Sequence, residues 1–384
     1  MFDNFPQDWE AKKLEDVCDI LDRHRVPLNS TDRATRQGKI PYWGANGIVD
    51  YIDQAIFDEP LLLMPEDGGP FSEARDKPIC HLLDGPAWVN NHAHVLKAVN
   101  ALREYVYYWF VNRDITPFLK GGGRAKLNQA DMRKLPILIP PLPEQQRIAE
   151  ILSSVDESIR ATEAVIAQAE RVKRGLMEDL LTGGLGSAAI ANGEVPEGWH
   201  PVKLASVVLN KTSKWKENAD NIPYIGLEHI LQEAGALCGV GDSSDVVSAK
   251  NTFESGDVLF GKLRPNLKKY WHASFCGICS TDILVLRAGK NIRSDFLFVI
   301  VQSNHFLDLA ISDAVGTKMP RTSWSRLGEF NLLLPPLHEQ QRIAEMHASM
   351  DDQIITNHAA VEQLKRLKRG LMDDLLTGRV RTVA

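Results

Sequence analysis

The dipeptide Pro-Asp never occurs in this chain, and asparagine precedes none of its 20 prolines. The first absence removes the simplest nuclease carboxylate signature. The second removes the Asn-Pro-Pro-aromatic motif of amino-group DNA methyltransferases. Gly-x-Ser-x-Gly and His-Glu-x-x-His are missing too, which leaves neither a nucleophile elbow nor a zinc-protease helix. Cysteine is sparse: five residues scattered through 384 argue against a disulfide framework and fit a reducing cytoplasm. No run approaches the roughly 18 apolar residues of a membrane helix, and the opening MFDNFPQDWEAKKL holds no apolar export segment. The expectation is a cytoplasmic protein with no membrane partner.

Two partial motifs fail on their chemistry. Gly256-x-x-x-x-Gly261-Lys262-Leu263 lacks the Ser or Thr that completes a phosphate loop by holding magnesium. Cys276-x-x-Cys279, near His272 and Cys238, lacks the second well-spaced pair that zinc requires, so these thiols read as buried and structural. No catalytic residue and no metal ligand is expected in this chain. Composition is that of ordinary soluble globular protein, 44% hydrophobic and 24% charged. The net charge of −6 disfavours nucleic acid only if the charge is evenly spread, and it is not.

What the chain has instead is a duplication. Pro140–Gly183, PPLPEQQRIAEILSSVDESIRATEAVIAQAERVKRGLMEDLLTG, returns 195 residues later as Pro335–Gly378, with 26 of 44 positions identical. Such a period is too long for a solenoid and marks a duplicated module. Pro6-x-x-Trp9 with Leu14 and Val17 likewise returns as Pro196-x-x-Trp199 with Leu204 and Val207. Four segments follow: a variable domain at 1–139, a long helix at 140–184, a second variable domain with its linker at 185–334, and a second long helix at 335–384.

Each repeated block starts on prolines, carries an acid in its first turn and runs to a glycine stop. Apolar or small residues recur by threes and fours at Ile148, Leu152, Val155, Ile159, Ile166, Ala169, Val172, Leu176 and Leu180. The second copy repeats the spacing at Ile343, Met346, Met350, Ile354, Val361, Leu364, Leu367, Leu371 and Leu375. That is coiled-coil spacing. One polar residue interrupts each seam at its midpoint, Thr162 and Asn357. Antiparallel pairing about those midpoints would set Ile148 near Leu371, Leu152 near Leu367, Val155 near Leu364 and Leu176 near Ile343. The fold class expected is α+β: two mixed domains separated by two long helices in an antiparallel coiled coil, a tandem repeat with pseudo-two-fold symmetry.

The variable domains carry basic, acid-free loops. Lys120-Gly-Gly-Gly-Arg124-Ala-Lys126 joins three glycines to three cations, and Tyr42-Trp43-Gly-Ala-Asn46-Gly47 sets aromatics beside a polar turn. In the second domain Gly261–Lys269 holds Lys262, Arg264, Lys268 and Lys269, and Gly316–Arg321 holds Lys318 and Arg321. Such loops suit phosphate contacts and base-edge reading. The candidate DNA-binding residues are therefore Tyr42, Asn46, Lys120, Arg124, Lys126, Lys262, Arg264, Lys268, Lys269, Lys318 and Arg321. Competing readings are a stand-alone DNA-processing enzyme with an atypical site, and a purely structural spacer.

The doubled Pro-Pro-Leu-x-Glu-Gln-Gln-Arg-Ile-Ala-Glu entry, the Arg-Gly-Leu-Met-x-Asp-Leu-Leu-Thr-Gly exit, and Gly256-Asp-Val-Leu-Phe-Gly-Lys-Leu-Arg-Pro265 with Gly277-Ile-Cys-Ser-Thr281 resemble the specificity subunit of type I restriction-modification systems. The resemblance spans the whole chain. It implies two target-recognition domains, each reading half of a bipartite asymmetric sequence in double-stranded DNA. It also implies two modification subunits binding S-adenosylmethionine and two restriction subunits using ATP and magnesium, with no cofactor in this chain.

Overall fold

A computed structural model describes residues 5–74, 77–111, 113–121, 125–181, 193–215, 221–246 and 248–382. The expected linker at 185–192 lies outside the described residues. The chain forms two compact units, Met1–Glu163 with Ala359–Ala384 and Ala164–His358. Each combines one variable domain with a segment of both long helices.

Unit 1 has two four-stranded sheets. One orders Cys18–Ile20, Ala93–Ala98, Leu61–Pro65 and His81–Leu83, all antiparallel; the other orders Gly47–Ile52, Gln37–Gly44, Pro86–Val89 and Phe57–Asp58, with one parallel pairing. The continuous apolar run Leu61–Met64 is the strand both sheet faces need. Leu62 and Met64 enter the core beneath the helix Arg103–Phe110, while Leu61 and Leu63 enter the core on the other face. Alternation of side chains along a strand explains this division.

Unit 2 repeats the plan. Val208–Lys211, Ile283–Ala288, Val258–Gly261 and Tyr270–His272 form the antiparallel sheet, and a five-stranded sheet adds Lys214–Trp215 at one edge. Val258 and Phe260 face the helix Ser294–Gln302 core and Leu259 the opposite one.

The helices run Leu142–Leu181 and Leu337–Leu375. Their first turns anchor the domains identically. Trp9 donates to Glu144 at 3.0 Å and Trp199 to Glu339 at 2.9 Å. Gln145 accepts from the Leu102 backbone N–H and Gln340 from that of Arg293, both at 2.8 Å. The repeated Glu and Gln thus hold a strand entry and a helix start in each unit.

Within each unit the two helix segments are antiparallel. In unit 1 Asp156 meets Lys368 at 2.7 Å and Glu163 meets Lys365 at 3.1 Å. In unit 2 Lys173 meets Asp351. Asp156 and Asp351 occupy one repeat position and Lys173 and Lys368 another, so the duplication generates the same ion pair twice. The register differs from the midpoint expectation, which would have set Asp156 against Gln363 and Lys173 against Met346; the observed partners lie five residues further along. Thr162 does not fix the register, because its hydroxyl donates to the Ser158 carbonyl of its own helix at 2.8 Å. Val172 and Leu367, expected in the seam, are 47% and 52% exposed. A straight helix of 3.6 residues per turn drifts about 20° per heptad from a 3.5 repeat, and that drift turns Lys173 and Lys368 inward instead.

Candidate nucleic-acid interface

In unit 2 the strand Val258–Gly261 runs out into the first basic loop, and backbone hydrogen bonds lace that loop to the second. The Arg264 N–H donates to the Pro320 carbonyl at 2.7 Å, that of Thr322 to Lys262 at 3.0 Å, and Leu263 bridges Arg321. Val315 and Arg321 exchange both backbone bonds at 3.0 Å, closing the second loop into a hairpin. Two loops some 50 residues apart in sequence therefore form one surface. Arg264 and Lys268 flank the turn Pro265–Leu267 with φ of 50° and 46°. Left-handed backbone at non-glycine residues costs about 1–3 kcal/mol each and persists where the surroundings enforce it. Here the second loop and the paired strand Tyr270–His272 enforce it.

The cations on this surface differ in freedom. Arg321 forks onto Asp282 at 2.9 and 3.1 Å, and these hydrogen bonds hold the Asp282 carboxyl below its usual range. Lys268 pairs with Glu233 at 3.2 Å, and Lys269 donates to the Leu227 carbonyl at 2.6 Å. Among the described residues the Arg264 guanidinium makes one hydrogen bond, to the Lys318 carbonyl at 3.3 Å. Among the described residues Lys262 and Lys318 have no ion-pair partner. Lys262, Arg264 and Lys318 thus form the available positive face, with Arg321 and Lys268 as braced flanks.

Unit 1 has the same frame with opposite charge at its centre. Lys120 and Lys126 exchange both backbone bonds at 2.9 Å, as Val315 and Arg321 do, and Asp67 bridges Lys126 where Leu263 bridges Arg321. The turn after Leu61–Pro65 begins with Glu66 and Asp67. Glu66 holds Lys126 at 3.0 Å and Arg25 at 2.9 Å; burial alone would raise its pKa, but these hydrogen bonds and the charge around it together lower it. Lys120 pairs with Asp131 at 3.1 Å. Arg124 lies outside the described residues. Asn46, exposed on its turn, donates to the Gly68 carbonyl at 2.8 Å and so joins the same surface.

Tyr42 is not part of that surface. It is 1% exposed, and its hydroxyl accepts from the Leu28 N–H at 3.0 Å and donates to the Leu28 carbonyl at 3.2 Å. Its place is a small core with Ile52 and Trp88. In a β-strand, neighbours point to opposite faces, and the turn two residues on gave no indication of which face Tyr42 takes.

Several apolar residues beside these turns are exposed. Val315 is 80% and Met319 49% exposed, both in the hairpin that carries Lys318; Ile48 and Val49 are 45% and 58% exposed beside Asn46. The available signal was an apolar residue next to a turn former, Val315-Gly316 and Met319-Pro320. Of the thiols expected to be buried, Cys279 is, pushed up to about 12 by desolvation, whereas Cys276 and Cys238 are exposed, contrary to the expectation.

Asp22, Glu66 and His94 lie close enough together to hold a cation. Their atoms are already committed: His94 Nδ1 is 2.6 Å from Asp22 and Nε2 is 2.8 Å from the Leu127 carbonyl, while Gln129 and the Val95 N–H also donate to Asp22, both at 2.9 Å. The cluster is a buttress that fixes Leu127, next to Lys126, against the sheet.

On the long helices Arg147, Glu150, Arg171, Arg174, Arg342, Glu345, Arg366 and Arg369 are all exposed. Two apolar positions are exposed in both copies, Leu142 with Leu337 (54% and 51%) and Val172 with Leu367. Among the described residues no helix is long and apolar enough to cross a membrane.

A family model described as the type I restriction modification DNA specificity domain matches residues 6–171 and again 196–366. The chain is 26% identical over 418 aligned positions to the type I restriction enzyme MjaVIII specificity subunit of Methanocaldococcus jannaschii, covering 98% of this chain and 94% of that one. It is 36% identical over 147 residues, 38% of this chain and 37% of the other, to a putative specificity subunit of Haemophilus influenzae. Among solved structures, the S subunit of a type I system from M. genitalium aligns over 97% of both chains with a TM-score of 0.64 at 15% identity.

Proposed function

Since this chain belongs to the type I restriction-modification DNA specificity family and carries its domain twice, we propose that its two variable domains, 1–139 and 185–334, each read one half of a bipartite target in double-stranded DNA. Specificity subunits are the DNA-recognition members of type I complexes and not the catalytic ones. They work together with DNA and the other restriction-modification subunits. The observation that carries the assignment of a reading surface is the lacing of Gly261–Lys269 to Val315–Arg321, which gathers Lys262, Arg264 and Lys318 on one face. Lysines there would contact phosphates, and Arg264, aimed by its left-handed backbone, is the candidate for a guanine edge. In unit 1 the corresponding readers are Asn46, Lys120, Arg124 and Lys126.

The long helices are the scaffold. Faces that recur with the same residues, Arg147 with Arg342, Glu150 with Glu345, Arg171 with Arg366, Arg174 with Arg369 and the exposed Leu142 with Leu337, offer one partner two equivalent seats. We assign these seats to two modification subunits carrying S-adenosylmethionine. Two restriction subunits using ATP and magnesium complete the assembly, which would act on DNA in the cytoplasm. The test is methylome sequencing of a host with and without this gene, followed by the same measurement on an Arg264→Ala variant. The expected result is one bipartite motif that relaxes at a single position of one half-site. A motif unchanged by the variant removes Arg264 from the reading surface.

A further inference from the structure

Unit 2 contains a cavity of about 600 Å³ between the helix Ser294–Gln302, the strand Asn331–Leu334 and the two long-helix segments. Val299, Ile300 and Leu333 wall its apolar part, and Lys173, His347 and Asp351 its polar end. Unit 1 shows where that space comes from. The helices Arg103–Phe110 and Ser294–Gln302 start from the same glutamine anchor, which sets Tyr108 at the position of Val299 and Trp109 at that of Ile300. Tyr108 is buried and donates its hydroxyl to Asp156 at 3.0 Å, on top of the Asp156–Lys368 pair, and Trp109 donates to the Pro136 carbonyl at 2.9 Å. In unit 2 two aliphatic side chains replace the phenol and the indole.

The polar end is altered to match. Where unit 1 has Leu152 the repeat has His347, whose Nδ1 stands 3.1 Å from Asp351, the counterpart of the Asp156 that the Tyr108 hydroxyl meets in unit 1. Burial, then the neighbouring Lys173 charge, holds this imidazole neutral, its pKa lowered to about 4. A neutral ring with its proton on the nitrogen facing a carboxylate presents the other nitrogen as an acceptor. Among the described residues nothing donates to that Nε2.

We propose that this cavity binds a small aromatic molecule bearing one hydrogen-bond donor, a phenol being the parent, with its ring in the place of the missing Tyr108 side chain and its donor on His347 or Asp351. The size is that of a ligand pocket with a few convergent polar groups. The exposed residues of the lining, Arg174, Glu178, Glu233, Asn304, His305 and Asn331, are all polar or charged, which suits a small molecule entering better than an apolar protein segment docking. Occupancy would brace the helix Ser294–Gln302 on the long-helix segments as Tyr108 braces its counterpart.

The probe is p-cresol, the side chain of tyrosine, titrated into the full chain by calorimetry and ligand-detected NMR. One saturable site is expected. Val299→Tyr should abolish it by supplying the ring covalently, and Val299→Phe serves as the second filling variant if the first does not fold. Tyr108→Val should add a second site by opening the matching space in unit 1. Toluene, without the hydroxyl, should bind about tenfold more weakly or less. Absence of saturable p-cresol binding, or binding that survives both Val299 variants, overturns the proposal; toluene binding as tightly as p-cresol overturns its hydrogen-bonding half.

Discussion

The two hairpin surfaces share a backbone and differ in charge. In unit 2 the turn after the central strand is Lys262-Leu263-Arg264, and the acid that steadies the partner loop, Asp282, comes from the start of a neighbouring strand. In unit 1 the equivalent turn is Glu66-Asp67, and it absorbs the cations beside it, Lys126 and Arg25, while Asp67 also meets the His92 ring. The frame is thus independent of the charges it displays, because backbone bonds close it in both cases. A protein that must read two different half-sites can vary the side chains of such a frame without rebuilding it. The ion pairs between helix segments show the opposite regime. Asp156–Lys368 and Asp351–Lys173 are kept identical, and only the third group at each, Tyr108 or His347, differs.

The largest expected effects break that conserved pair. Asp156→Ala strands a largely buried lysine and a tyrosine hydroxyl, and should cost unit 1 about 3–5 kcal/mol. Asp351→Ala leaves Lys173 in a more open setting, with side chains 20% and 32% exposed against 16% and 19% in unit 1, and should cost about 1 kcal/mol less. Hydrogen exchange of Arg103–Phe110 and Ser294–Gln302 reads the two separately. Equal losses in both helices would mean that Tyr108 contributes nothing to the difference.

Acid should also separate the units. His347 is held neutral to about pH 4 when folded, against an ordinary 6.5. As pH falls below 6.5 the unfolded chain takes up the proton first, so stability is full above 6.5 and declines down to about 4. The loss is at most about 3 kcal/mol at 1.36 kcal/mol per pH unit. His347→Leu, which copies Leu152, should flatten this decline in unit 2 and leave unit 1 unchanged. A decline of the same depth in the variant assigns the acid sensitivity to other groups.

The charge inversion predicts unequal responses to DNA. Lys262→Ala and Lys318→Ala should each weaken binding by the assembled complex uniformly across sequences and reduce the salt slope by about one. Arg264→Ala should cost roughly 1–3 kcal/mol at one base pair. Lys126→Gln should change the slope by clearly less than Lys262→Ala, since Glu66 already neutralises Lys126. A full unit of slope lost at Lys126 would mean that DNA displaces Glu66, and that the contrast between the surfaces disappears on binding.

How far these features were legible in the sequence varied with how local they are. The helices, the tandem plan and the basic loops follow from periodicity, identity and composition, all of which are read over consecutive residues. The helix register is not legible at the seam midpoints Thr162 and Asn357, because the ion pair that marks it joins Asp156 and Lys368, 212 positions apart. The burial of Tyr42 is not legible either, because strand alternation fixes which residues share a face but not which face is inward. The lacing of Lys262 to Thr322 and the exposure of Val315 depend on tertiary closure, for which no short-range pattern exists.

The smallest effect tests those apolar residues directly. Val315 and Met319 flank Lys318 on a hairpin closed at its base, so any duplex that meets Lys318 also meets two aliphatic side chains. The major-groove feature they complement is the thymine methyl group. The half-site of unit 2, identified as the one that relaxes in Arg264→Ala, is therefore expected to contain at least one A·T pair. Replacing its thymines singly by uracil should reveal one position that costs about 0.8 kcal/mol, the value of one buried methyl-sized group, or roughly a fourfold loss of affinity. In a Met319→Ala, Val315→Ala double variant that penalty should vanish while the wild-type preference at the Arg264 position persists. Lys120 occupies the repeat position of Val315, so Lys120→Ala should leave the uracil sensitivity of the other half-site as it was. A half-site without thymine, or a uracil penalty that survives the double variant, would remove the apolar pair from base reading and leave the hairpin a phosphate clamp.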